Sequence, residues 1–151
     1  MPGERLVVDA SVVVKWVIPE EYSEHAVLLR DDHLDGRVEA HAPDLLLLEA
    51  ASALRKYVLR GLLEPGKALR ALQLLSEAGI GLEPVDGELA LEALRLSLQL
   101  GITPYDAAYI ALARRLQAPL YTADDRLASN PAVASLGIVR HIREYGAAPR
   151  R

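Results

Sequence analysis

Short apolar runs alternate along the chain with longer stretches in which apolar positions recur every three or four residues. The short runs, each bounded by turn-forming residues, predict strands over 5–8 (RLVV), 38–42 (VEAHA), 80–85 (IGLEPV), 118–123 (APLYTA) and 137–142 (GIVRHI). The longer spacing predicts helices. A polar surface helix covers 20–35 and ends at Gly36, and Pro43-Asp44 opens a long helix stopped by Gly61. Further helices run from Pro65 to Gly79, over 88–100 to Gly101, and from Thr103-Pro104 to about Gln117. SVVVKWVI, directly after the first strand, reads as a short helix. No repeat, low-complexity tract or linker interrupts the pattern. The expectation is therefore one domain over 1–151, with its core over about 5–142 and a flexible tail at 146–151.

Strands alternating with helices predict an α/β domain, its mostly parallel sheet flanked by helices on both faces. In such sheets ligands bind beyond the carboxyl ends of the strands. Asp9 and Asp124 each follow directly on a predicted strand, which makes them the first residues to weigh for chemistry.

Composition narrows that chemistry. With 51% hydrophobic and 25% charged residues the chain reads as globular and not disordered. A net charge of -4 argues against nucleic-acid binding through bulk charge, while leaving room for a local basic groove. There is no cysteine, so disulfides, thiolate nucleophiles and thiolate zinc sites are excluded. His25, His33, His41 and His141 have no close metal-ligand spacing, so a metal would have to be a hard cation held by oxygen. The apolar stretch from Leu6 to Ile18 carries Asp9 and Lys15 and is too short to span a membrane; a cytoplasmic protein is expected.

Each acid has an ordinary structural reading. Asp9 suits a helix N-cap, and Asp106 completes a capping pattern with Thr103 at the cap and Pro104 at the first helical position. Asp124 and Asp125 suit a turn. Glu49 shares a helical stripe with Ser52, Lys56 and Arg60, as on a solvated face, yet four leucines precede it. A carboxylate at a buried helix end needs a partner or a cation. Strand carboxyl ends and the starts of the following helices lie on one side of a parallel α/β domain, so all four acids can meet there. Four carboxylates without histidine or cysteine suit Mg²⁺ or Mn²⁺.

These residues stand in four motifs: VVDASVVVKW (7–16), PDLLLLEAASAL (43–54), TPYDAAYIALA (103–113) and LYTADDRLA (120–128). In order, spacing and element type they resemble the PIN domain, in particular the VapC-type toxins and their archaeal relatives. The resemblance covers nearly the whole chain. It implies a five-stranded parallel sheet, a Mg²⁺ or Mn²⁺ site built by Asp9, Glu49, Asp106 and Asp124, and cleavage of single-stranded RNA. In many members it also implies a VapB-type antitoxin partner and a homodimer. Ser11 and Thr122 match the hydroxyls that support the acids in the family. Spacing alone does not choose between Asp124 and Asp125; the family pattern Thr122-x-Asp124 favours the former. Lys15, Lys56 and Arg60 are the candidate contacts for RNA phosphates, with solvent exposure or a dimer contact as the alternative for Lys56 and Arg60. The alternatives are a catalytically inactive PIN fold that binds RNA or protein, and an aspartyl phosphotransfer domain. No lysine follows Lys67, which counts against the second.

Overall fold

The computed structural model describes residues 3–146. The tail expected at 146–151 falls, from 147 onward, outside the described residues. Five parallel strands form one sheet: β1 (Glu4–Val8), β2 (Val38–Pro43), β3 (Gly81–Glu83), β4 (Leu120–Thr122) and β5 (Val139–His141). Their order across the sheet is β3-β2-β1-β4-β5. Leu6, Val7 and Val8 are consecutive and all buried. Neighbouring side chains of a strand point to opposite faces, so the central strand is covered on both, as its unbroken apolar run requires.

Eight α-helices accompany the sheet among the described residues: α1 (Ala10–Val13), α2 (Ser23–Leu34), α3 (Leu46–Leu59), α4 (Pro65–Ser76), α5 (Gly87–Leu100), α6 (Pro104–Leu116), α7 (Asp125–Ser129) and α8 (Pro131–Ala134). A 3₁₀ turn, Val14–Trp16, extends α1. Helix α6 rests on β1 and β2 and packs along α5. Its residues from Ala107 to Ala113 are each no more than 3% exposed, and four of the seven are alanines, which let neighbouring backbones approach closely. Gly61 and Gly101 follow α3 and α5 with φ of 72° and 70°, the left-handed turn that ends a helix at no steric cost to glycine.

The chain winds outward from β1 to β2 and β3, then crosses back to place β4 on the other side of β1. Strand order therefore reverses between β1 and β4, and a crevice opens there at the carboxyl ends. Val8 pairs with Tyr121, which sets Asp9 level with Thr122 across that crevice.

The structure departs from the sequence pattern at several boundaries. Strand β2 runs on through Pro43, and α3 starts only at Leu46. Asp44 does not start that helix: its N–H donates to the Glu83 carbonyl (2.8 Å) and its carboxylate accepts from Val85 N–H (3.4 Å), fastening β2 to the segment after β3. β3, β4 and β5 are each three residues long, shorter than the apolar runs that announce them. α7 and α8 are too short to produce a periodic pattern; each is started by a side-chain cap, Asp124 and Asn130 respectively. The leucine run before Glu49 is not uniformly buried, since Leu46 is fully enclosed while Leu48 is 78% exposed.

Candidate active site

Asp9 stands at the switch point, one residue beyond β1, with extended backbone (φ -99°, ψ 176°) as the cap of α1. It is only 9% exposed. Its Oδ1 accepts from Ser11 Oγ (2.5 Å) and Val12 N–H (3.3 Å), and its Oδ2 accepts from Thr122 Oγ1 (2.5 Å). Ser11 and Thr122 are themselves oriented: Ser11 Oγ accepts from Ala123 N–H (2.8 Å) and Thr122 Oγ1 from Asp124 N–H (3.0 Å). The two hydroxyls thus tie the end of β1 to the end of β4 and fix the carboxylate in one orientation. Burial raises the Asp9 pKa to about 6, and the Asp106 charge adds to the rise; the bonds from Ser11, Thr122 and Val12 pull the other way.

Three more acids reach the same cleft, a cavity of about 510 Å³ whose wall includes Asp9, Glu49, Asp106 and Asp124. Glu49, on α3, accepts from the Tyr109 hydroxyl (2.6 Å). Its pKa is raised by burial and by the Asp106 charge, with the Tyr109 bond opposing. Asp106 lines the cleft from the first turn of α6: its N–H donates to Oγ1 of the cap Thr103 (3.1 Å), while burial and the Asp124 charge raise its pKa. Asp124 Oδ1 accepts from Arg126 N–H (2.9 Å) and Leu127 N–H (3.4 Å). Asp9 caps α1 as its position after a strand suggests, Asp124 caps α7 where a turn was expected, Thr103 caps the helix that carries Asp106, and each of the four acids also faces the cleft. Among the described residues no three acids form a ready-made cage around a point. The donor set is nevertheless wholly carboxylate, and none of the four histidines lines the cleft. The carboxylates have lone pairs to spare beyond these hydrogen bonds, and burial makes three of them reluctant to stay charged without a counter-charge. Such a site fits a hard divalent cation.

The PIN domain model matches residues 6–132. The chain belongs to the PIN domain family. The chain is 38% identical over 133 residues to ribonuclease VapC3 of Pyrobaculum aerophilum, an alignment covering 87% of this chain and 98% of that one. Among solved structures it superposes on Mycobacterium tuberculosis VapC20, a sarcin-ricin loop cleaving toxin, with a TM-score of 0.67 at 16% identity, covering 89% and 96% of the two chains. It also resembles VapBC2 of Rickettsia felis bound to a DNA fragment from their promoter, with a TM-score of 0.63 at 10% identity, covering 91% and 98%.

In this PIN domain the adjacent Asp124 and Asp125 go to different places. Asp125 is exposed, outside the cleft, with its Oδ1 3.0 Å from His141 Nε2 and 3.7 Å from Arg143 Nη1. His141 Nδ1 accepts from Arg143 N–H, which orients the ring. Lys15, Lys56 and Arg60 all line the cleft with the acids, as does Ser52 of the predicted stripe. Lys56 and Arg60 are exposed and have no ion-pair partner among the described residues. Three residues that sequence reasoning missed also line it: Tyr109, Glu20 and Tyr57. Tyr109 lies three residues after Asp106, on the same side of α6, and that spacing is the signal that points to it. Nothing in the sequence joins Glu20 to Tyr57.

Proposed function

We propose that this chain is a divalent-metal-dependent endoribonuclease that cleaves single-stranded RNA in the cytoplasm, and that it is the toxin of a VapBC-type toxin–antitoxin pair. One observation carries the reading: four carboxylates from four separate segments line one cleft, with Lys15, Lys56 and Arg60 on its walls. Asp9, Glu49, Asp106 and Asp124 are the residues that would hold Mg²⁺ or Mn²⁺. When bound, such a cation supplies Lewis-acid stabilisation of phosphate charge and a water of lowered pKa. The rest falls to the chain. Ser11 and Thr122 keep Asp9 from rotating, so one carboxylate geometry is presented. Tyr109 does the same for Glu49. Lys56 and Arg60 attract the sugar–phosphate backbone towards an otherwise acidic site. In the reaction a water oxygen adds to phosphorus, the bond to one ribose oxygen breaks, and that oxygen leaves with a proton.

The relatives named ribonuclease support the activity, and the VapBC assembly among the structural neighbours supports an antitoxin partner. A second copy of the chain has a face to meet in the exposed Leu91, Leu94 and Leu98 of α5, and light scattering after size exclusion reads that directly. The deciding experiment incubates purified protein with a fluorescent single-stranded RNA and Mn²⁺. Cleavage is expected, with none in EDTA and none by Asp9→Asn or Asp106→Asn. Full activity in EDTA, or in either variant, would refute the assignment. Binding of RNA without cleavage by the wild type would make the chain an inactive PIN-fold module.

A further inference from the structure

The cleft contains a fifth carboxylate with a different job. Glu20 lies in the loop between the 3₁₀ turn and α2. Its Oε1 is 3.0 Å from Lys15 Nζ, and its Oε2 accepts from the Tyr57 hydroxyl of α3. Glu20 thus already has a cationic partner in Lys15, which none of the four other acids has among the described residues. Lys15, Glu20 and Tyr57 all line the same cavity as the acid quartet.

The contrast between the three cations of the cleft is informative. The Lys15 side chain is 10% exposed, whereas Lys56 and Arg60 are exposed and unpaired among the described residues. A solvated lysine or arginine keeps its rotamer freedom and contributes a diffuse, salt-sensitive attraction. A lysine held in a wall has already lost that freedom. Its ammonium has three N–H donors, and Glu20 takes one of them. The other two have no partner among the described residues, on a wall shared with the proposed metal ligands. A preorganised donor stabilises charge that develops in a transition state more than charge already present in the ground state.

We propose that Glu20, held by Tyr57, is a positioning residue that aims Lys15 at the phosphate being cleaved, so that Lys15 serves the chemical step while Lys56 and Arg60 serve capture of the strand. The proposal rests on the ribonuclease reading and assigns its residues separate kinetic roles.

The test measures single-turnover cleavage of a 5′-fluorescein single-stranded RNA across protein concentrations with Mn²⁺, which separates rate from affinity. Mn²⁺ affinity and melting temperature are measured in parallel. Lys15→Met should lower the maximal rate about 100-fold with half-saturation little changed, as for loss of one preorganised donor. Lys15→Arg should restore part of it. Glu20→Ala should lower the rate roughly tenfold through misplacement of Lys15. Glu20→Gln, which can still accept from Lys15 and hydrogen-bond Tyr57, should recover most of the loss; a merely structural ion pair would not be rescued in rate alone. Lys56→Ala with Arg60→Ala should instead raise half-saturation about tenfold and flatten its salt dependence, with the smaller effect on maximal rate. A wild type that cleaves, beside a Lys15→Met variant that binds Mn²⁺ and cleaves at full rate, would overturn this proposal alone. An inactive wild type would overturn the ribonuclease reading and this proposal with it.

Discussion

Removing the charge of Asp9 should stabilise the metal-free protein while abolishing its activity. The substitution Asp9→Asn isolates charge from structure unusually well. Asn and Asp are equivalent helix caps, so α1 keeps its start. The amide oxygen can still accept from Ser11 and Val12, and the amide nitrogen can donate to Thr122 Oγ1. What changes is the cost of a buried anion. The Asp9 pKa rises from an ordinary 3.8 to about 6 in the fold, chiefly through burial. A carboxyl group with a raised folded-state pKa contributes stability below its unfolded value and loses it as pH rises through the folded one. The loss therefore begins near pH 4 and is complete by about pH 7, where it reaches about 3 kcal/mol. The Asn variant does not incur it.

Thermal melts in EDTA between pH 5 and pH 8 measure this. For a chain of this length the variant should melt roughly 6–12 °C above wild type at pH 8, with a smaller gap at pH 5. Mn²⁺ at a hundred times its Kd should add about 2.7 kcal/mol to the wild type, nearly closing the gap, and less to the variant. A variant that melts at or below the wild type at pH 8 in EDTA, or a gap that ignores pH, would refute the argument that Asp9 is an uncompensated buried charge awaiting a cation.

Three further outcomes follow from the same contacts. Thr122→Val leaves Asp9 Oδ2 without its donor in a buried site, so it should cost about 1–3 kcal/mol in urea unfolding of the metal-free protein. Because the Asp9 pKa then rises further, the loss should be larger at pH 8 than at pH 5. Tyr109→Phe removes the hydroxyl that holds Glu49, and should cost about 1 kcal/mol and weaken Mn²⁺ binding in calorimetric titration. Asp124→Asn should eliminate RNA cleavage while Asp125→Asn spares it, since only the former faces the cleft; equal losses in a cleavage assay would contradict the division between them.

How much of this was legible in the sequence depends on how each residue is anchored. Asp9 and Asp124 sit at strand ends, Glu49 and Asp106 near helix starts, and the apolar pattern locates such boundaries to within a few residues. A parallel α/β topology then carries these positions to one edge without any pairwise information, whereas the choice of Asp124 over Asp125 needed the family pattern. The same logic fails for contacts that depend on side-chain reach. Tyr109 lies in an alanine-rich helix that is buried all round, where a tyrosine reads as core, and only its three-residue spacing from Asp106 hints that its hydroxyl meets Glu49. Glu20 was invisible as a cleft residue because its partners come from Lys15, five positions back, and Tyr57, thirty-seven positions ahead, in elements of no shared period. Asp44 shows the opposite failure. Its position after a proline matches a helix start, but a strand edge competed for its hydrogen bonds and won, shifting α3 to Leu46. Glu49 nonetheless lines the cleft, because α3 still begins just beyond the carboxyl end of β2 and carries it there. The location of such a site thus tolerates an error of a few residues in an element boundary, whereas the hydrogen bonds that orient its carboxylates depend on which atoms come within reach.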